Sequence, residues 1–357
     1  MKRVCVWAAL MLLAVGVQTS EAQQCDRACL KNAMTTYLNA LVAQDPTKAP
    51  LAPNVRFTED AKELKVGDGF WKTATKVGDY RQDFIDVKEQ TIASWVIVEE
   101  SGRPAKLTAR LKVANGRITE IETLVGHAGE RVAGGASMIT RPDMGIAPPA
   151  GQRNTREELI RIADHYPRGL TIGGFDKVDA PFAKDAYRLE NGMVMAGPGC
   201  GRGGPGGGPG RGAAAPAGGP AAAPAGAAAA PPAAAPAAAP AATAPAPPQG
   251  GRGANPGAGA VSATRPQDVA GCADIKTQRI IPHPDLTKSV VAVDEEQGTV
   301  LIWMNFGDTG SYGAGNALIV YEGFKVYGGQ LHAVEAFMKV MPKETQRGWG
   351  RTLKGME

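Results

Sequence analysis

Two blocks of this sequence occur twice, in the same order. Asp45, Ala49, Pro50, Ala52 and Glu59 match Asp176, Ala180, Pro181, Ala183 and Glu190 without a gap. A second block, LKVANGRITEIE over 111–122, returns as FKVYGGQLHAVE over 324–335. Each copy has Lys-Val, a glycine four residues after the lysine, and an aliphatic residue before a closing glutamate. A duplication of this kind constrains the fold more than composition does. Two copies make a tandem of domains, whereas a solenoid needs three or more repeats. The length of 357 residues agrees with two domains.

Each half opens on a helix. Leu30, Ala33, Met34, Tyr37, Leu38 and Leu41 form an amphipathic stripe. In the second half, Thr155 and Glu158 read as a capping box, and Tyr166 and Leu170 repeat the spacing of Tyr37 and Leu41. Pro167 is expected to kink or end that helix early. Strands follow. Leu107, Ala109, Leu111 and Val113 alternate with polar residues, and SVVAVDEEQGTVLIWMNFG holds two strands around Glu296-Gln297-Gly298. Asn115-Gly116 and Gly328-Gly329 are hairpin turns that need positive φ. Each half is therefore expected to be an α+β domain, a leading helix packed on a curved antiparallel sheet.

A short basic start (Lys2, Arg3), an apolar run from Val4 to Val17 and the small-residue end Ser20-Glu21-Ala22 read as a signal peptide. Cleavage after Ala22 is expected, giving an exported product, periplasmic or extracellular, with no membrane span left. The run is shorter than the roughly 20 residues of a spanning helix. Of five cysteines, Cys5 leaves with the signal. Cys25, Cys29, Cys200 and Cys272 remain, and Cys25–Cys29 with Cys200–Cys272 is the favoured pairing. Pairing between the halves stays open.

The resulting division is a signal peptide over 1–22, a first domain over 23–130, a linker over 131–153, and a second domain over 154–196 and 264–345. A disordered Gly/Ala/Pro-rich insertion spans 197–263, and a tail closes the chain at 346–357. The insertion falls inside the second copy of the repeat, so it is a loop insertion and not a linker between domains.

The leading helix, a short strand ending in Glu and the closing hairpin resemble the SnoaL-like group of the nuclear-transport-factor-2-like superfamily. CDRACL, FTED, GDGFWKTAT and LKVANGRITEIETLV resemble a secreted branch of that group whose function is unassigned. The resemblance implies a cone: a bent sheet wrapped around helices, with a pocket at the wide end. It covers isomerases, epoxide hydrolases, cyclases, dehydratases and proteins without catalysis, so it does not choose a function. Such domains pair sheet to sheet, which implies an internal pseudo-dimer of the two halves.

Candidate chemistry follows from the repeats. Glu122 and Glu335 occupy one place in the two copies, and Glu59 and Glu190 another. A carboxylate inside an apolar cone would have a raised pKa and serve as a general acid or base. The bland alternative is a turn position, solvent exposure or a salt bridge. His165 has no counterpart in the first half, where Thr36 precedes Tyr37. The resemblance implies a pocket role beside Tyr166, and the asymmetry points to the second domain. The catalytic candidates are Glu335, His165 and Glu122. Tyr37, Trp71, Tyr166 and Trp303 are the candidate aromatic walls for a small hydrophobic molecule. His332 and Glu335 make a poor metal pair, so no metal is expected, nor a cofactor. The formal net charge of +4 lacks a clustered basic face, which argues against nucleic acid. No serine-hydrolase elbow, phosphate loop or dinucleotide fingerprint is present. The function expected is binding of a small hydrophobic organic molecule in a cone pocket. A cofactor-free isomerase, hydrolase or lyase and a non-catalytic scaffold are the alternatives.

Overall fold

The computed structural model describes residues 24–127, 130, 142–198, 200, 274–278 and 280–357. The expected signal peptide and the insertion from residue 201 onward lie outside them, as does Cys272.

The first domain begins with helix α1 (Arg27–Val42). Asp26 caps it by accepting the Cys29 N–H at 2.8 Å, satisfying a donor that a helix start leaves unpaired. Six strands follow: β1 (Leu51–Glu59), β2 (Lys62–Leu64), β3 (Ala74–Asp86), β4 (Thr91–Glu100), β5 (Arg103–Ala114) and β6 (Arg117–Gly126). Their order in the sheet is β2-β1-β6-β5-β4-β3. In the second domain, Thr155 and Glu158 form both halves of the capping box on α2 (Arg156–Ala163). The helix breaks at Asp164, three residues before Pro167, and resumes as α3 (His165–Ile172). The strands are β7 (Phe182–Glu190), β8 (Met193–Ala196), β9 (Thr287–Asp294), β10 (Thr299–Asn305), β11 (Asn316–Tyr327), β12 (Gln330–Pro342) and a two-residue β13 (Leu353–Lys354). Their order, β13-β9-β10-β11-β12-β7-β8, repeats that of the first sheet with one edge strand added.

The sheets are mixed, which corrects the expectation of antiparallel ones. The two repeated blocks of sequence lie side by side as the parallel pair of each domain. Thr58 stands opposite Glu122 in β1–β6, and Leu189 stands opposite Glu335 in β7–β12. Hairpin chemistry is legible locally, but the pairing of a domain's first strand with its last is set by closure of the sheet around the helix. Asn115, Gly116, Gly328 and Gly329 all take positive φ at the two hairpin turns.

Each sheet packs its own helix on one face. On the other face the sheets meet through Phe84, Trp95, Leu124, Trp303, Tyr321 and Phe337. The polar contacts across this seam are reciprocal. Arg27, at the start of α1, forks onto Asp294 at 2.7 and 2.9 Å. Arg156, at the start of α2, forks onto Asp86 at 2.9 and 2.7 Å. Asp294 also accepts the Ile85 N–H, and Asp86 accepts the Val293 N–H. The last residues are not a loose tail. Arg347 pairs with Glu122 of the first domain at 2.8 Å, and the Trp349 indole donates to Thr58 at 2.8 Å. Cys25 and Cys29 are disulfide-bonded to each other, which removes pairing between the halves for these two. Cys200 is also disulfide-bonded; its expected pairing with Cys272 lies outside the described residues.

Candidate functional site

The two cones differ inside. In the first, Tyr37, Phe57, Phe70 and Trp71 are each about 1% exposed and belong to one core. Tyr37 meets Trp71 edge-to-face at 5.5 Å. Glu59 is spent locally, accepting the Phe70 N–H on both oxygens; burial raises its pKa against that hydrogen bond. These side chains are packed together in the core of the first domain.

The second cone keeps a cavity of about 20 Å³, room for about one water. Tyr166 reaches it from α3, Arg188 and Glu190 from β7, Glu322 from β11, His283 from the segment before β9, and Tyr312 from the loop between β10 and β11. Leu170, Phe306, Leu318 and Met338 supply apolar wall. Strand phase explains the placement. Leu318, Val320, Phe324 and Val326 all face this core, and Glu322 falls in the same period-two series. Ala186 puts Arg188 and Glu190 on the inner face in the same way.

Burial and neighbouring charge set the electrostatics. Arg188 is 4% exposed and pairs with Glu190 at 3.3 Å. Burial opposes its charge, but its acidic neighbours outweigh burial and keep it cationic, with the Glu190 carboxylate as its ion-pair partner. Glu322 is 2% exposed. Burial first, and then the charge of Glu190, push its pKa up to about 8, with Arg188 and Tyr166 opposing. It is therefore a carboxylic acid at neutral pH. Burial likewise raises Tyr166 and Tyr312 and lowers His283 to about 4. His283 faces the Phe306 carbonyl with Nδ1 at 3.2 Å, so Nδ1 donates and Nε2 is left as an acceptor. Among the described residues, buried Oε2 of Glu322 and Nε of Arg188 have no hydrogen-bond partner.

Of the residues expected at a site, the structure brings Tyr166 and Glu190 to this cavity. Tyr37 and Trp71 are in the first domain's core, and Trp303 is between the sheets. Glu122 and Glu335 face away from their cones, because the inward phase of β6 and β12 belongs to Ile121, Val125, Val334 and Ala336. Glu122 is tied to Arg347, and Glu335 accepts the Tyr187 hydroxyl at 2.8 Å. His165 lies on the outer side of α3, with Nδ1 at 3.0 Å from the Arg161 carbonyl. It borders an open groove with Arg161, Arg168 and Met356. A further open groove of about 360 Å³ runs between α2, β9 and β13, where Lys288 and Asp164 are already paired. Among the described residues no group of three or more His, Cys, Asp or Glu is placed to hold a metal, and no helix is long and apolar enough to cross a membrane.

Arg188, Glu322, His283 and Tyr312 were not reached from sequence. For two of them a signal exists. The parallel registers match Arg188 to Phe57, opposite Val334 and Ile121. The antiparallel registers match Glu322 to Ala109, opposite Ala336 and Thr123. The two halves diverge from apolar to charged at these inward positions.

The family model described as "Domain of unknown function (DUF8021)" matches residues 23–125, 152–219 and 250–338. No curated protein matches the chain. Among solved structures, the chain is similar to an NTF2-like protein of unknown function from Cytophaga hutchinsonii ATCC 33406. That match has 11% identity over 27% of this chain and 88% of the other, with TM-score 0.21. It is similar to a putative ketosteroid isomerase from Kribbella flavida DSM 17836, at 13% identity over 34% of this chain and 93% of the other, TM-score 0.23. A de novo designed protein with a curved β-sheet matches at 20% identity over 28% of this chain and 88% of its own length, TM-score 0.24.

Proposed function

The chain belongs to the DUF8021 family, and from that premise we propose that its second domain binds a small organic molecule in the Arg188–Glu322 cavity. The first domain is a plugged copy that serves as its fixed partner. One observation carries the reading. Glu322 Oε2 and Arg188 Nε are buried without hydrogen-bond partners among the described residues, where the other copy of the fold has alanine and phenylalanine. Leaving a polar group buried and unpaired costs about 1–3 kcal/mol, and perturbed, buried titratable groups concentrate at functional sites. The helix-first order, the curved sheets and the cavity at one cone support assigning both halves to the SnoaL-like architecture. The reciprocal Arg27–Asp294 and Arg156–Asp86 contacts support an internal pseudo-dimer, since a two-fold interface repeats each contact in reverse. The basic, apolar and small-residue order of residues 2–22 supports export, and N-terminal sequencing of protein recovered outside the cytoplasm should begin at Gln23.

The test restores the first domain's residues. Arg188→Phe with Glu322→Ala should abolish binding in a screen of small hydrophobic compounds by native mass spectrometry, with a loss of thermal stability from the stranded Glu190 that Glu190→Gln relieves. A folded double variant that still binds would sink the proposal.

A second reading has its own support. Glu322 is held protonated beside Glu190, which is paired with Arg188. A protonated carboxyl group beside an ion-paired carboxylate is a usual arrangement for an acid and a base. On this reading the protein is a cofactor-free isomerase, hydrolase or lyase, with Glu190 taking a proton and Glu322 or Tyr166 hydrogen-bonding the oxygen where charge develops. Exchange of solvent deuterium into a bound compound, lost in Glu190→Gln, separates it from simple binding.

A further inference from the structure

We infer that the second-domain cavity takes an electrically neutral molecule that offers an oxygen acceptor to Tyr166, Arg188 and Glu322, and that Tyr312 is the side chain that yields to admit it. The inference rests on the binding reading above. It adds the ligand's charge, its polar end and its way in.

Charge balance decides the first part. Arg188 and Glu190 already neutralise each other at 3.3 Å, with side chains 4% and 12% exposed. His283 is buried and bonded to a backbone carbonyl. The remaining groups are Tyr166, Tyr312 and Glu322, whose acid form is favoured in this burial. A charged ligand would bring an uncompensated charge into a closed, low-dielectric space, which is the costly case. The unmet hydrogen-bonding capacity is on two of the lining groups. Arg188 Nε–H can only donate, and Glu322 Oε2 in the acid form donates as well. The rest of the lining includes Leu170, Ile280, Phe306, Leu318 and Met338. A carbonyl or ether oxygen on an apolar body meets both kinds of lining.

Volume decides the second part. A cavity of about 20 Å³ holds about one water, so an organic molecule enters only if part of the wall moves. Most of the wall is fixed. Leu170 is in α3, Arg188 and Glu190 in β7, Leu318 in β11 and Met338 in β12. His283 is held at both its backbone N–H, by the Leu170 carbonyl, and its ring, by Phe306. Tyr312 differs. Its 9% exposed side chain hangs from a loop in which Gly307, Gly310, Gly313 and Gly315 all take positive φ. A Cβ at Gly310 or Gly315 would meet nothing within 4 Å, so solvent lies beside the loop. The loop is fastened outward by the partly exposed ion pair of Asp308 with Lys343 at 3.4 Å, weak by its exposure, and by the Lys343 N–H donating to the Gly315 carbonyl at 3.0 Å. Swinging the Tyr312 ring out frees a ring-sized space in the wall.

The test uses the full chain and three probes that share one six-membered ring: cyclohexanone, cyclohexanecarboxylate and cyclohexylammonium. Binding is measured by calorimetry and ligand-observed NMR near neutral pH, on the wild type, Tyr312→Ala and Tyr312→Phe. Cyclohexanone should bind Tyr312→Ala at least about tenfold tighter than the wild type, a difference of one decade in Kd. Tyr312→Phe keeps the ring and should match the wild type. Neither charged probe should bind any form measurably. If Tyr312→Ala fails to fold, Tyr312→Leu replaces it with the same expected direction. Binding of a charged probe as tight as the ketone, or no gain on shortening Tyr312, overturns this inference and leaves the cavity reading standing. Failure of every probe on every form overturns the cavity reading and this inference together.

Discussion

Glu322 concentrates the chemistry at the scale of one residue, and its effect on stability has a definite sign. Its pKa rises from 4.5 to about 8 on folding, chiefly through burial. Below about pH 4.5 the acid form is present in both states. Between there and about 8 only the folded state keeps the proton, so this group's contribution to stability falls as pH rises through that window. Glu322→Gln should flatten that slope, which urea unfolding across pH will read. A wild-type curve without the slope would mean that Glu322 is ionised in the fold. Arg188→Phe with Glu322→Ala strands the Glu190 carboxylate, which is paired with Arg188, and should lower Tm; adding Glu190→Gln should recover most of the loss, at about 2–4 °C per kcal/mol for domains of 150–250 residues. The pocket's residues were only partly visible beforehand. Tyr166 and Glu190 stand out because the repeat marks them. Arg188 and Glu322 stand out only when the halves are compared at inward positions, because charge in a strand pattern reads first as a solvent face. His283 and Tyr312 belong to irregular segments, where no period says which way a side chain points.

Among the elements, the C-terminal segment ties itself to the first domain through Arg347 and Trp349. Arg347 and Glu122 are both nearly fully buried, and the Arg56 guanidinium sits 4.2 Å above the Trp349 ring. Removing one member of a buried ion pair strands the other and costs about 3–5 kcal/mol, whereas replacing both by apolar residues is often neutral. Arg347→Met should therefore lower the urea midpoint sharply, and adding Glu122→Met should recover most of the loss. Equal losses in the single and double variants would mean that the segment stabilises by packing alone. The helices were legible from sequence through their caps and stripes. So were the hairpins, through Asn115-Gly116 and Gly328-Gly329. The parallel pairs β1–β6 and β7–β12 were not, because partners 65 residues apart, as Thr58 and Thr123 are, leave no local signal.

For the whole molecule, duplication is the organising fact. The reciprocal forks of Arg27 on Asp294 and Arg156 on Asp86 predict a chain that is monomeric in light scattering. Arg27→Ala and Arg156→Ala should destabilise by similar amounts, since the two sites repeat each other down to the backbone N–H groups that share the carboxylates. A stable dimer of chains, or one variant silent and the other severe, would count against the pseudo-dimer. Duplication also frees one copy. Phe57 and Trp71 lie in the first domain's core, while the second domain has Arg188 and Glu322 at inward positions where the first has Phe57 and Ala109.

The pairing of each domain's first strand with its last has a temporal consequence. In the first domain those strands meet across 65 residues, from Thr58 to Thr123; in the second, Tyr187 waits for Glu335 across 148. Loop-closure entropy and contact order both make the later closure the slower one. The N-terminal half should therefore finish first and present its exposed sheet face as a template on which the other half condenses. Refolding followed by Trp fluorescence should show two phases, and only the slower should report on the cavity.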